Sequence, residues 1–248
     1  MKRIFNWQFF LGLTLIVLSA LVYYFHYLIF RDVHHIFIYL IGDIAFVFIE
    51  VLLVTLILHQ LLHYREKKSI LNKLNMVIGA FFSEVGTELL KSFSAFDKEA
   101  FKITKKLIIT DGLSEKEFLR ICKSVKSHQY SIDSKRSDLE RIKDFLKGKR
   151  QFLLNLLENP NLLEHESFTN LLWAVFHLTE ELMHRRNLKE LPETDYKHLA
   201  GDIKRVYHLL IAEWLDYMKH LKNNYPYLFS LAMRTNPFDA NACLEVTK

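Results

Sequence analysis

The sequence predicts an all-α protein: a two-helix transmembrane hairpin followed by a cytoplasmic helical domain. Three observations lead there. Glycine (7) and proline (4) are scarce for 248 residues, and strand-rich folds need the turns that these residues supply. The apolar residues crowd into positions 8–64. Beyond them, apolar positions recur at helical spacing among an ordinary density of charges.

Residues 8–30, QFFLGLTLIVLSALVYYFHYLIF, carry no formal charge. A helix of that length rises about 35 Å, enough to cross a hydrocarbon core of roughly 30 Å with some tilt. The Lys2–Arg3 start suits a signal peptide, but the apolar run exceeds the roughly 7–15 residues of such a segment, and no A-x-A site follows. It reads as a retained transmembrane helix. The second span covers about residues 36–58, and only RDVHH (31–35) separates the two. Lys2 and Arg3 flank the hairpin on one side and Arg65, Lys67 and Lys68 on the other, so the positive-inside rule puts both ends in the cytoplasm. Trp7 and Tyr64 then mark the inner interface, and Tyr23, Tyr24 and Tyr27 the outer one. The expected location is a prokaryotic cell membrane.

Asp43 and Glu50 interrupt the second span. Seven residues apart, they share a helix face with Val47, Val54 and Ile57. A carboxylate facing lipid costs several kcal/mol, so this face is expected to turn toward protein or water. In an antiparallel hairpin Asp43 lies level with Tyr23 and one turn from His26, while Glu50 lies level with Ile16, near Ser19 and Thr14. Tyr23, His26, Thr14 and Ser19 are therefore the candidate partners. The acids serve either as ligands or protonation sites on an ion path, or as protonated groups tying helices together. Two helices cannot enclose a pore, so a path requires a homo-oligomer. His34 and His35 at the outer mouth, and His59 and His63 at the inner end, have the chemistry for metal binding or pH sensing, or simply end the helices with polar groups.

Residues 65–97 form a connecting segment. Leu71, Leu74, Ile78, Phe81 and Val85 follow a 3-4-3-4 spacing. Three settings satisfy it: an oligomerising neck, a helix on the inner membrane surface, or a helix packed on its own domain.

Residues 98–248 read as the helical domain. Ser114 and Glu117 stand at capping-box spacing after the Asp111–Gly112 break. Helices follow at about 134–157, 162–186 and 195–223, with breaks at Asn159–Pro160, Pro192 and Pro226. The last long helix carries an apolar stripe from Leu199 through Ile203, Val206, Leu210, Trp214 and Tyr217 to Leu221. The tail from Asn223 to Phe238 is apolar and aromatic, suited to docking on the domain or a neighbouring subunit.

Chemistry in this domain is thinly signalled. HLTEELMH puts His177, Glu181 and His184 on one helical face, with Glu-x-x-His spacing at Glu181–His184. These are weak metal candidates, because no second such motif occurs and the apolar stripe Phe168, Leu171, Val175, Leu178, Leu182 lies on the other side, which points the three toward solvent or another subunit. His198 and Asp202 read as a surface i, i+4 pair, as do Asp216 and His220. KGKR (147–150) reads as a solvated basic patch or a contact for anionic lipid. Two cysteines, Cys122 and Cys243, without CxxC spacing speak against a disulfide framework. Residues 1–64 balance three basic against three acidic groups, so the net charge of +5 falls entirely after them. That excess is too diffuse for nucleic acid and suits an anionic membrane surface. No nucleophile elbow, zincin motif or phosphate loop is present. The expected role is ion conduction or transport by a homo-oligomer, with an inorganic cation as its small partner, the bilayer as its setting and no cofactor. The alternative is a membrane-anchored helical module that recruits or signals to a cytoplasmic partner.

Overall fold

In the computed structural model, which describes residues 2–160, 162 and 165–245 (the side chains of 2–6, 8, 67–73 and 126 apart), the regular elements are helices. The described residues contain no strand beyond one isolated bridge, Asp97 to Ile132. The chain divides after Glu66 into two units.

The first unit holds α1 (Lys2–Phe30) and the first half of α2 (Val33–Phe81). Both stretches are long and apolar enough to cross a membrane. Their antiparallel connection is two residues long. Arg31 adopts φ 48°, and its N–H donates to the Tyr27 carbonyl at 2.8 Å. That left-handed residue ends α1 in the position that glycine usually occupies. Asp32 then starts α2, its Oδ1 accepting the N–H groups of His34 (2.9 Å) and His35 (3.4 Å). Near the turn the His26 ring meets those of His35 and Tyr39, at 5.6 and 6.4 Å between centroids. Elsewhere most of the described aliphatic and aromatic side chains of this unit stand exposed.

The second unit has its own core. From Leu74 onward, the segment expected to be a neck, a surface helix or part of the domain takes the last form. Leu74, Ile78, Phe81, Phe82 and Val85 are buried, and the Phe81 ring packs edge-on against Phe168 at 5.3 Å. Leu71, together with the flanking charges at Lys2, Arg3, Lys67 and Lys68, has its side chain outside the described set. A π turn, Phe82–Gly86, joins α2 to α3 (Thr87–Ser94); there the Thr87 N–H donates to the Phe82 carbonyl five residues back.

Then come α4 (Ala100–Thr104), α5 (Glu115–Lys126), α6 (Leu139–Leu157), α7 (Glu166–Met183), α8 (Glu193–Asn224) and α9 (Pro226–Arg234). Ser114 and Glu117 close a reciprocal capping box at the start of α5, and Asp138 caps α6 through the N–H groups of Glu140 and Arg141. The longest of these, α8, packs against α3, α5, α7 and α9, while α6 lies against α7. Its apolar stripe is buried from Leu199 to Leu221, with Tyr217 at the edge against Phe82. The α7 stripe from Phe168 to Leu182 is fully buried as well. Pro226 occupies the first turn of α9, where a missing N–H costs nothing. The tail docks on its own domain: Phe229 and Phe238 are buried, Phe238 faces Trp214 at 5.2 Å, and Asn236 Nδ2 donates to the Leu107 carbonyl at 2.9 Å.

Candidate functional site

Asp43 and Glu50 lie on α2 with Val47, Val54 and Ile57, and all five are exposed on the single chain. Asp43 lines a shallow crevice with Ser19, Tyr23, His26 and Tyr39. Glu50 lies outside it. Among the described residues neither carboxylate has a hydrogen-bond or ion-pair partner. The Thr14 hydroxyl is committed to the Phe10 carbonyl of its own helix at 2.8 Å, so it is not free for Glu50. The rings of His59 and His63 stack at 6.4 Å, one turn apart.

The second candidate is built where α7 meets α8. His177 and Glu181 project from α7, and His198 and Asp202 from α8. His177 Nε2 stands 3.6 Å and His198 Nε2 3.3 Å from Asp202 Oδ2. Glu181 closes the group, with Oε2 3.5 Å from His198 Nε2 and Oε1 3.9 Å from His177 Nε2. The Asp202 side chain is 4% exposed, whereas the two imidazoles are about half exposed. Asp202 Oδ1 meets Arg205 at 3.2 Å, but Oδ2 accepts no hydrogen bond.

A charged network holds this corner. Arg185 grips Asp195 with a two-pronged contact, Nε to Oδ2 at 2.8 Å and Nη2 to Oδ1 at 2.7 Å, and its Nη1 reaches Glu181 Oε2 at 2.7 Å. The guanidinium hydrogen bond holds the Glu181 carboxyl below the usual range; the charges of Arg185, His198 and His177 add to this against partial desolvation. Arg185 lowers Asp195 in the same way. His184 does not join the group. It caps the end of α7, its Nδ1 2.7 Å from the Glu180 carbonyl.

The HLTEELMH face therefore does not look only to solvent or another subunit: His177 and Glu181 turn toward the second long helix, whose packing also buries Asp202 of the expected surface pair. The sequence places His198–Asp202 on α8 but carries no local signal of that meeting. In the KGKR segment, Lys149 pairs with Glu84 at 2.7 Å, and Arg150 pairs with Glu180 at 2.9 Å while lying over the Phe176 ring. Those two cations are already partnered inside the domain.

Comparison with known proteins comes out in the same two parts. Residues 2–62 match a family described as MJ1433, N-terminal helical domain, and residues 70–234 one described as Uncharacterized protein MJ1433, C-terminal helical domain. A relative from Methanocaldococcus jannaschii, described as Uncharacterized protein MJ1433, is 51% identical over 229 residues, covering 92% of each chain. No solved structure matches. By both measures the chain belongs to the MJ1433 family.

Proposed function

We propose that this chain is a two-pass integral membrane protein with both termini in the cytoplasm of a prokaryotic cell, assembling as a homo-oligomer that gives a cation a path past Asp43 and Glu50. The observation that carries this reading is the pair of carboxylates on one exposed face of an apolar helix, seven residues apart and without partners among the described residues. Removing an unpaired charge from lipid at the helix centre recovers about 2.5–3.5 kcal/mol on insertion scales, which favours copies of the chain packing with these faces inward. Asp43, in its crevice with polar neighbours, has local means of satisfaction; Glu50 depends on another copy or on water.

Ion flux into liposomes carrying the purified oligomer tests the reading, with Glu50→Gln and Asp43→Asn as variants. A changed rate or selectivity in either variant is expected. Protein that is folded and oligomeric yet passes no ion above empty liposomes would overturn it. The second reading, a membrane anchor for a partner-binding domain, is favoured by the separate core of residues 67–248. It expects that segment, detached from the hairpin, to retain its partner.

A further inference from the structure

We infer that His177, His198 and Asp202 form a binding site for a divalent transition-metal ion of the zinc class, through His177 Nε2, His198 Nε2 and Asp202 Oδ2, with Glu181 or water as a fourth ligand. The site is separate from the acids of α2 and does not depend on ion conduction.

Three observations converge. The ligand atoms of the three residues lie within 4.8 Å of one another. A tetrahedral ion with bonds of about 2.0–2.1 Å has ligand-to-ligand edges of roughly 3.3–3.4 Å. The two nitrogen-to-Oδ2 separations, 3.3 and 3.6 Å, already match such edges, and the half-exposed rings are free to adjust. Asp202 Oδ2 is buried and lacks any hydrogen bond, although two ring nitrogens are close. Protonated imidazoles engaged in ion pairs would donate to it at about 2.7–2.9 Å. Two rings near an oxygen but not bonded to it suit a third centre that all three address.

The surroundings fit the same assignment. Arg205 occupies Asp202 Oδ1 and leaves Oδ2 for an ion. Arg185 holds Glu181 through Oε2, and Oε1 faces His177. Orientation of ligating carboxylates by such outer contacts is a regular feature of metal centres. The imidazole pair selects against magnesium and calcium, which prefer all-oxygen ligands, and favours zinc, cobalt or nickel. Exposed imidazoles leave one coordination position accessible from solvent, so the ion is expected to exchange and to be removable by chelators.

The test is zinc binding to tag-free, full-length protein in detergent, measured by competition with a chromophoric chelator. Cobalt serves as a second probe, read by its visible absorption. One tightly held ion per chain is expected for the wild type. His177→Gln and His198→Gln, both at half-exposed positions, should each weaken binding tenfold or more, with helical content unchanged by circular dichroism. His184→Gln, on the same helix but outside the cluster, should bind as the wild type does. Excess magnesium should not displace the ion. The assignment is overturned if the wild type retains no ion, if either His177→Gln or His198→Gln binds normally, or if His184→Gln loses the ion as they do.

Discussion

Four glycines of the second unit, one in the π turn and three in helices, differ in what an added methyl group would meet, and this gives a graded prediction. At Gly86 a Cβ would stand 2.5 Å from Phe82 Cδ1 and 2.9 Å from Phe81 Cε1. Both rings are buried, and Phe81 is wedged against Phe168 as well. Neither can retreat without disturbing the core. Overfilling a packed interior costs about 1–3 kcal/mol, while replacing helical glycine by alanine returns roughly 0.8–1.0 kcal/mol. From the middle of that range Gly86→Ala should lose about 1 kcal/mol, and at most about 2 kcal/mol. At Gly148 and Gly201 a Cβ meets nothing within 4 Å, so alanine there should add about 0.5–1 kcal/mol. Gly79 is intermediate, its Cβ 3.0 Å from the Tyr217 hydroxyl at the edge of the domain; Gly79→Ala should fall between the others. Urea unfolding of residues 67–248, followed by circular dichroism, gives the order from midpoints at constant slope. The packing argument is refuted if Gly86→Ala is as stable as the parent, or if Gly148→Ala and Gly201→Ala both lose stability.

Three further outcomes are expected. Arg185→Ala should cost about 2 kcal/mol, because charge-assisted hydrogen bonds contribute roughly 1.5–3 kcal/mol where partly desolvated and this side chain is 17% exposed; denaturant midpoints check it, and a change below about 0.5 kcal/mol would contradict it. Burial raises the Glu213 carboxyl, against the Ser167 hydroxyl and His165, which lower it. A carboxyl raised in the fold contributes stability below its unfolded range of about 4.3 and loses it as pH rises through the folded value. Glu213→Gln should thus gain on the wild type at pH 8 and lose that advantage toward pH 4; a difference independent of pH would show that the group titrates normally. Zinc at a hundredfold its dissociation constant should stabilise the protein by about 2.7 kcal/mol, raising the melting temperature by roughly 5–10 °C for a domain of this size, reversibly with chelator. His198→Gln should abolish the shift.

Local signals carried most of the fold into the sequence. The Ser114–Glu117 box, the stripes Phe168–Leu182 and Leu199–Leu221, and the breaks at Gly112, Pro192 and Pro226 each act within a few residues, and each marks a boundary or a buried face in the structure. Residues 69–93 are ambiguous in the sequence for a physical reason. An apolar seam at 3-4 spacing suits a partner helix, a lipid surface or a domain core equally, and only the presence of Phe168 and Tyr217 opposite Phe81 and Phe82 decides among them. The His–Asp cluster was half legible. Each helix shows its own i, i+4 pair, His177–Glu181 and His198–Asp202. Their convergence depends on how α7 and α8 pack, which no single-helix pattern encodes. His184 illustrates the reverse: its spacing fits a ligand, but the helix ends beneath it, and its ring turns to the Glu180 carbonyl that its own N–H already engages.

The π turn at Phe82–Gly86 makes chain length itself a variable of the core. Its wider loop of hydrogen bonding accommodates one more residue than an α turn would. Deleting exposed Ser83 or Glu84 would let the segment close into ordinary α-helix, four residues at about 100° each turning the chain through nearly the angle that the five π residues now cover. Leu89, Leu90 and Phe93, now buried, would keep the face that Leu74, Ile78 and Phe81 share. Keeping all five residues but winding them as plain α-helix is what would put the two halves of the buried face out of phase, by about 100°.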